Sequence, residues 1–196
     1  MQAMTENKII ELPNIRTERL VIRPPQERDI QEIFRYFQEN EDRFKHTHPL
    51  KEPNFYTEKF WRERIHKAEM EFKEGKSVRL FLFESMNDKE IVGTVNLNEI
   101  TRGFFQACYV GYDLSVRYEK QGLMAEALQA VVHYAFTNLN LHRLMANYQP
   151  YNIRSGNVLK RLGFTIEGTA KDYLFISGEW KDHVLTSLTN HQWKPS

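Results

Sequence analysis

Residues 116–128 read VRYEKQGLMAEAL. A charged segment, Arg117 to Gln121, runs into a lone glycine, Gly122, and an apolar-rich helical pattern begins at once. No Ser, Thr or Asp stands beside Gly122 to cap the first amides of that helix. Two explanations fit. Glycine is itself a tolerated N-cap. Alternatively, an outside anion does the capping, because the first amides lack partners and the helix dipole adds about half a positive charge there. Gln121, Gly122, Leu123, Met124 and Ala125 offer consecutive amides for that purpose, and Gly122 has no side chain to obstruct a phosphate. Glu126 is the first acid of the helix and lies just beyond the amide turn. Neither the P-loop pattern GxxxxGK[ST] nor the dinucleotide fingerprint GxGxxG occurs in the chain.

Other residues with chemical capacity are fewer. Asn152 and Ser155 stand at the start of a short amphipathic pattern, where Asn152 reads as an N-cap and Ser155 as a first-turn hydroxyl bonded to backbone. His46 and His48 form an HxH pair without a third ligand, so no metal site is expected. Cys108 has no evident activating neighbour and reads as a small buried residue. Tyr109, Tyr112 and Tyr148 fall on strand patterns, where aromatics are mostly core.

The elements that must position these groups follow from periodicity. TERLVIR (17–23) reads as a first strand stopped by Pro24-Pro25. Ile30, Ile33, Phe34 and Phe37 mark an amphipathic helix. Residues 40–56 read as an ordered loop or short turn. A second helix carries Trp61, Ile65, Ala68 and Phe72 and is closed by Gly75. Then the period changes to two. VRLFLFE (78–84), EIVGTVNLN (90–98) and QACYVGYDL (106–114) read as strands, the first two joined by a turn at Asn87-Asp88. A helix runs from Leu123 to about Asn138, its apolar pairs at 123/124, 127/128, 131/132 and 135/136 making a broad buried stripe. RLMANYQP (143–150) is a strand. Ile153 to Leu162 is a short helix with Gly163 at its end, and two final strands meet at Ser177-Gly178. The order β-α-α-β-β-β-α-β-α-β-β predicts an α+β (mixed α/β) fold. Its sheet is mostly antiparallel and twisted, with helices on both faces. One strand-helix-strand crossover over 106–150 makes one pair of strands parallel. The first amides of the crossover helix then lie at the carboxyl end of the preceding strand, where open sheets bind ligands.

At this point the residues carry a resemblance. YDLSVRYEKQGLMAEAL (112–128) resembles motif A of the GNAT acetyltransferases, whose [RQ]-x-x-G-x-[GA] loop holds the pyrophosphate of acetyl-CoA. ANYQPYNIRSGNVLKRLGF (146–164) resembles their motif B. RTERLVIRP (16–24) and EGTAKDYLFISGEWKDHVLTSLT (167–189) look like the RimJ-type ribosomal-protein alanine N-acetyltransferases in particular. The likeness covers nearly the whole chain, with departures. The family's Arg/Gln position holds Glu119, a glycine position holds Lys120, and the last small residue is Met124, which that branch also tends to use. Lys120 then either adds charge to a phosphate or is a solvated loop residue, and Glu119 either turns to solvent or repels the ligand.

The resemblance implies more. Acetyl-CoA would be the co-substrate, with no metal. The strand before motif A splays from its neighbour and leaves an amide to donate to the thioester carbonyl, with Leu114 and Val116 the candidates by position, although ordinary ladder pairing is the alternative. Asn152 would contact the pantetheine arm as well as cap its helix. Ser155 would be a proton donor to the departing sulfur. The proposed glutamate base of the RimL branch does not carry over, since the matching position is Leu174, with Asp172 and Tyr173 near it in sequence.

The acceptor implied by that branch is the N-terminal alanine of a ribosomal protein, the fifth of the small subunit. An α-amine, pKa about 7.8, is neutral roughly one time in seven at pH 7, against about one in 2,500 for a lysine amine. Two alternatives stand beside it: acetylation of a small amine such as a polyamine, amino acid or aminoglycoside, and a non-catalytic CoA-fold module that binds the ribosome.

Composition bounds these readings. At 196 residues the chain suits one domain, 1–196, with a full core. Hydrophobic residues make up 41% and charged residues 27%, as in soluble globular proteins. The net charge of +1 gives no electrostatic case for direct nucleic-acid binding. One cysteine excludes a disulfide framework, and no apolar run approaches about 18 residues, so no membrane partner is expected. The start, MQAMTENKIIEL, lacks a basic region followed by an apolar one, Met1 and Met4 stand as possible starts, and the expected compartment is the cytoplasm. Nothing in the sequence sets the oligomeric state.

Overall fold

Alternation along the central strands decides the layers. In the strand Val78–Glu84, Val78, Leu80 and Leu82 pack into one apolar cluster, while Phe81 and Phe83 pack into another on the opposite side. A sheet buried on both faces must be covered twice. The computed structural model describes residues 11–48 and 50–195, so the expectations about the first ten residues, with Met1 and Met4, and about Pro49 lie outside the described residues.

The described elements are β1 (Ile15–Arg16), β2 (Leu20–Arg23), α1 (Ile30–Glu39), α2 (Glu41–Phe44), α3 (Glu58–Lys73), β3 (Val78–Glu84), β4 (Asn87–Thr101), β5 (Ala107–Leu114), α4 (Leu123–Thr137), β6 (Arg143–Tyr148), α5 (Ile153–Arg161), β7 (Thr165–Ile176) and β8 (Glu179–Thr189). They form one eight-stranded sheet in the order β1-β2-β3-β4-β5-β6-β8-β7. Every pairing is antiparallel except β5–β6. One cluster joins Leu128 and Val131 of α4 to Leu80, Val95, Val110 and Leu144 of the sheet. The other joins Ile33 and Tyr36 of α1, Phe44 of α2 and Trp61 and Ile65 of α3 to Phe81 and Phe83. The predicted mixed sheet, with one parallel crossover and helices on both faces, is the observed architecture.

Three local expectations are corrected. The β3–β4 turn is at Ser85-Met86, and Asn87 and Asp88 already belong to β4, because the Glu84↔Asn87 pairing makes a tighter hairpin. Part of the 40–56 segment is helical: α2 begins directly after Asn40, and Phe44 is carried into the core. A short β1 precedes β2 and pairs with it. The final hairpin turns where predicted, with positive φ at both Ser177 and Gly178.

Candidate active site

The two parallel strands separate. β5 and β6 pair only at Ala107–Tyr109 against Arg143–Met145, and β6 is thereafter held by β8 as far as Tyr148. The Ser115 amide donates to Val92 O on the β4 side (2.8 Å). Amides alternate in direction along a strand, so those of Leu114 and Tyr112 face the edge that β6 has left. Leu114 is therefore placed as a donor into the splay. Val116 is not, because its amide is committed to Asn40 Oδ1 (3.0 Å), and its side chain is exposed. Gly93 allows the close packing behind this edge. A Cβ there would lie 2.5 Å from Asp113 O and 3.2 Å from Leu114 Cδ1.

At the carboxyl end of β5 the chain turns into α4. Gly122 is the N-cap, with φ 80° and ψ 0°, and no side chain caps the helix. Glycine is needed first for that left-handed conformation. Lys120 also has positive φ (63°), on the other side of Gln121. Such alternation turns successive N–H groups to one side, a concavity that binds anions. The first intrahelical bond is from the Glu126 amide to Gly122 O, so the amides of Leu123, Met124 and Ala125 precede the helical ladder. The side chains of Leu123 and Met124 are buried, so only their backbone faces outward, whereas Lys120 is exposed. Arg19 buttresses the loop. It donates to Gln121 O (2.8 Å) and, through Nε and its own amide, to both Glu126 oxygens (2.7 and 2.9 Å), with Thr17 Oγ1 adding a bond of 2.6 Å. Burial alone would raise the Glu126 carboxyl, but these donors and the charge of Arg19 hold it below the usual range.

Glu119 is not turned to solvent. It is clamped between Arg43 of α2 and Arg154 of α5. The acid that stands in for the family's Arg/Gln therefore has its charge answered by two guanidiniums, and the clamp ties the two sides of the cleft together. These partners lie 76 and 35 residues away in sequence (119 − 43, 154 − 119), so no local spacing pointed to them.

Asn152 is the N-cap of α5, its Oδ1 accepting from the Ser155 amide (3.2 Å). Among the described residues its side-chain amide nitrogen donates no hydrogen bond. Ser155 does not bond backbone through its hydroxyl. Its Oγ lies 2.6 Å from the hydroxyl of Tyr112, a residue that strand statistics had placed in the core. Burial pushes the Tyr112 hydroxyl up to about 12, so it keeps its proton at neutral pH. Cys108 is fully buried and its thiol is pushed up to about 12 by that burial, which makes it inert.

On the α1–α3 side of the sheet a cavity of about 530 Å³ opens, walled by Phe37, Phe44, Phe55 and Trp61, with Thr94 and Asp113 among its polar lining. His48 lines it too, its Nε2 facing Asp113 Oδ2 at 3.3 Å, while the HxH partner His46 is not part of that lining. No helix among the described residues is long and apolar enough to cross a membrane.

A parallel pair that splays and ends in an uncapped helix start belongs here to a mixed α/β acetyltransferase fold. The chain belongs to the GNAT acetyltransferase family: residues 19–165 match the acetyltransferase (GNAT) domain. It is similar to the [ribosomal protein uS5]-alanine N-acetyltransferase of Escherichia coli K12, with 41% identity over 94% of this chain and 95% of that one. Among solved structures it resembles a ribosomal-protein-S5-alanine acetyltransferase from Vibrio fischeri (TM-score 0.88, 35% identity, 93% of this chain and 100% of that one). It also resembles RimJ of Mycobacterium smegmatis in complex with CoA-disulfide (TM-score 0.81, 25% identity, 90% and 85%).

Proposed function

We propose that this chain acts as a single domain, 1–196, in the cytoplasm, and acetylates the α-amine of an N-terminal alanine on the small-subunit ribosomal protein uS5, with acetyl-CoA as co-substrate. The observation that carries this reading is the β5–β6 splay closing on the Gly122 helix start, read together with the similarity to the E. coli enzyme. The concave amides fit a pyrophosphate, and the open strand edge fits an extended arm. Gln121 to Ala125, with Lys120 beside them, would hold the pyrophosphate, and the side-chain amide of Asn152 the pantetheine. Bound there, acetyl-CoA supplies an acyl group already activated as a thioester. The chain's own task is then to stabilise charge and move protons. The Leu114 amide would donate to the carbonyl oxygen. Ser155 would protonate the leaving sulfur, and Tyr112, within hydrogen-bond distance of it, would replace the proton.

The small-amine reading gains little support. A polyamine needs several carboxylates facing one cavity, whereas here Glu41, Glu52 and Glu71 are interleaved with Lys51, Arg64 and Arg79. The test is a competition assay. The purified protein is given acetyl-CoA, a peptide that begins with the uS5 alanine, an N-blocked peptide carrying one free lysine, and spermidine. The α-amine peptide should turn over fastest. Faster turnover of spermidine or of the lysine would overturn the proposal.

A further inference from the structure

The sulfur side of the site has its proton donor, but the amine side has no assigned group. We propose that Asp113, held by Thr94 and Tyr36 and faced by His48, receives the acceptor's α-amine and takes its proton during transfer. This rests on the N-terminal acetylation reading above. Side chains alternate along β5. Tyr112 points to the α4–α5 face, where it meets Ser155, so Asp113 points to the opposite face, where Tyr36 of α1 and His48 meet it. Leu114, the next residue, turns its amide into the splay between them. Base and acid thus stand on opposite sides of one strand, with the carbonyl donor at its edge. Asp113 is only 13% exposed, at the aromatic-walled cavity. Its oxygens accept from the Tyr36 hydroxyl, from Thr94 Oγ1 (2.8 Å) and from His48 Nε2 (3.3 Å). Among the described residues no Lys or Arg forms an ion pair with it, so a nearly buried carboxylate stands without a cation of its own, although Lys45, Lys51, Arg64 and Arg79 also line the cavity. Burial, reinforced by the charge of Asp113, pushes the Tyr36 hydroxyl well above its ordinary range, so it stays a donor.

The step balances. The neutral amine nitrogen bonds to the acetyl carbon, and the carbon–sulfur bond breaks with its electron pair on sulfur. One N–H proton passes to the Asp113 carboxylate, and the sulfur takes a proton from the Ser155–Tyr112 pair. Asp113 then loses its proton to solvent past His48, which is 31% exposed. The Ser155–Tyr112 pair regains one from solvent.

The experiment compares wild type with Asp113→Asn and, as the milder change, His48→Gln. Two readouts are taken: steady-state kinetics on the alanine peptide, and calorimetric binding of that peptide in the presence of CoA. The binding probe is run against the same peptide with lactate replacing alanine, which carries a hydroxyl where the amine was. Wild type should bind the amine peptide at least tenfold more tightly than the lactyl one. Asp113→Asn should bind both alike and lose at least tenfold in kcat/KM, with KM for acetyl-CoA within twofold of wild type. His48→Gln should change kcat/KM in the same direction by less. Equal binding of amine and lactyl peptides by wild type overturns the inference even if the variants fail to fold, as does an Asp113→Asn protein with wild-type preference and turnover. If wild type acetylates no alanine peptide, the proposed function falls and the inference with it; if it does and Asp113→Asn matches it, the inference alone falls.

Discussion

Substitutions at Gly122 separate two reasons for a glycine that are entangled in the wild-type protein. The first is conformational. Gly122 sits at φ 80°, and a residue with a Cβ in the left-handed region is destabilised by about 1–2 kcal/mol. The nearest atom to an added Cβ is Arg19 Nη2 at 3.7 Å, an ordinary contact, so no clash adds to that figure. For a domain of this size each kcal/mol lowers Tm by about 2–4 °C, so Gly122→Ala should lose about 2–8 °C. Asn tolerates the left-handed region better, so Gly122→Asn should lose less. The second reason is access to the amides. A phosphate on them makes charge-assisted hydrogen bonds worth about 1.5–3 kcal/mol each, and a larger side chain displaces more of them. Asn should therefore weaken acetyl-CoA binding more than Ala, by at least tenfold. The two orders are opposite: wild type, Asn, Ala for thermal stability, and wild type, Ala, Asn for affinity. Thermal melts and calorimetric titration with acetyl-CoA read them separately. An Asn variant that binds acetyl-CoA within twofold of wild type would place the phosphates elsewhere.

Three further outcomes are expected. Ser155→Ala and Tyr112→Phe should each lower kcat with acetyl-CoA affinity nearly intact, and the double variant should lose little more than the worse single one, because the two hydroxyls form one chain; additive losses would show separate roles. Asn152→Ala should lose about 1 kcal/mol of stability as a lost cap, whereas Asn152→Asp keeps the cap oxygen and should raise KM for acetyl-CoA only, which thermal melts and steady-state kinetics distinguish. Glu126 has a folded pKa below its unfolded one, so its contribution is present above about pH 5 and is lost as pH falls through the folded value. Glu126→Gln should be about 1 kcal/mol less stable at pH 7, with the gap to wild type closing below about pH 4 in denaturant titrations; a gap that does not change with pH would refute this.

What could be read from the sequence was whatever depends on neighbours along the chain. The apolar pairs of α4, the Asn152 cap three residues before Ser155 and the Ser177-Gly178 turn are all local patterns, and each stands where predicted. What could not be read depends on strands meeting or parting. The amide of Val116 looked as available as that of Leu114 until Asn40, 76 residues earlier, was seen to occupy it. Glu119 looked like a liability because Arg43 and Arg154 come from other helices. Tyr112 reads as core because aromatics on strands mostly are, and its ring does pack against the core cluster, while its hydroxyl reaches Ser155. The Asn87-Asp88 turn was misplaced because turn composition is a weaker constraint than the pairing of Glu84 with Asn87.

If this chain acetylates the N-terminal alanine of uS5, that modification depends on its gene. The most direct measurement is mass spectrometry of intact ribosomal proteins from cells with and without the gene, and with a Gly122→Asn copy restored. Without the gene, uS5 should be lighter by one acetyl group, with the loss mapped to the α-amine of its first alanine, rescue by the wild-type copy and little or none by Gly122→Asn. A uS5 that keeps its N-terminal acetyl group without the gene, while another protein or a polyamine loses one, would contradict it.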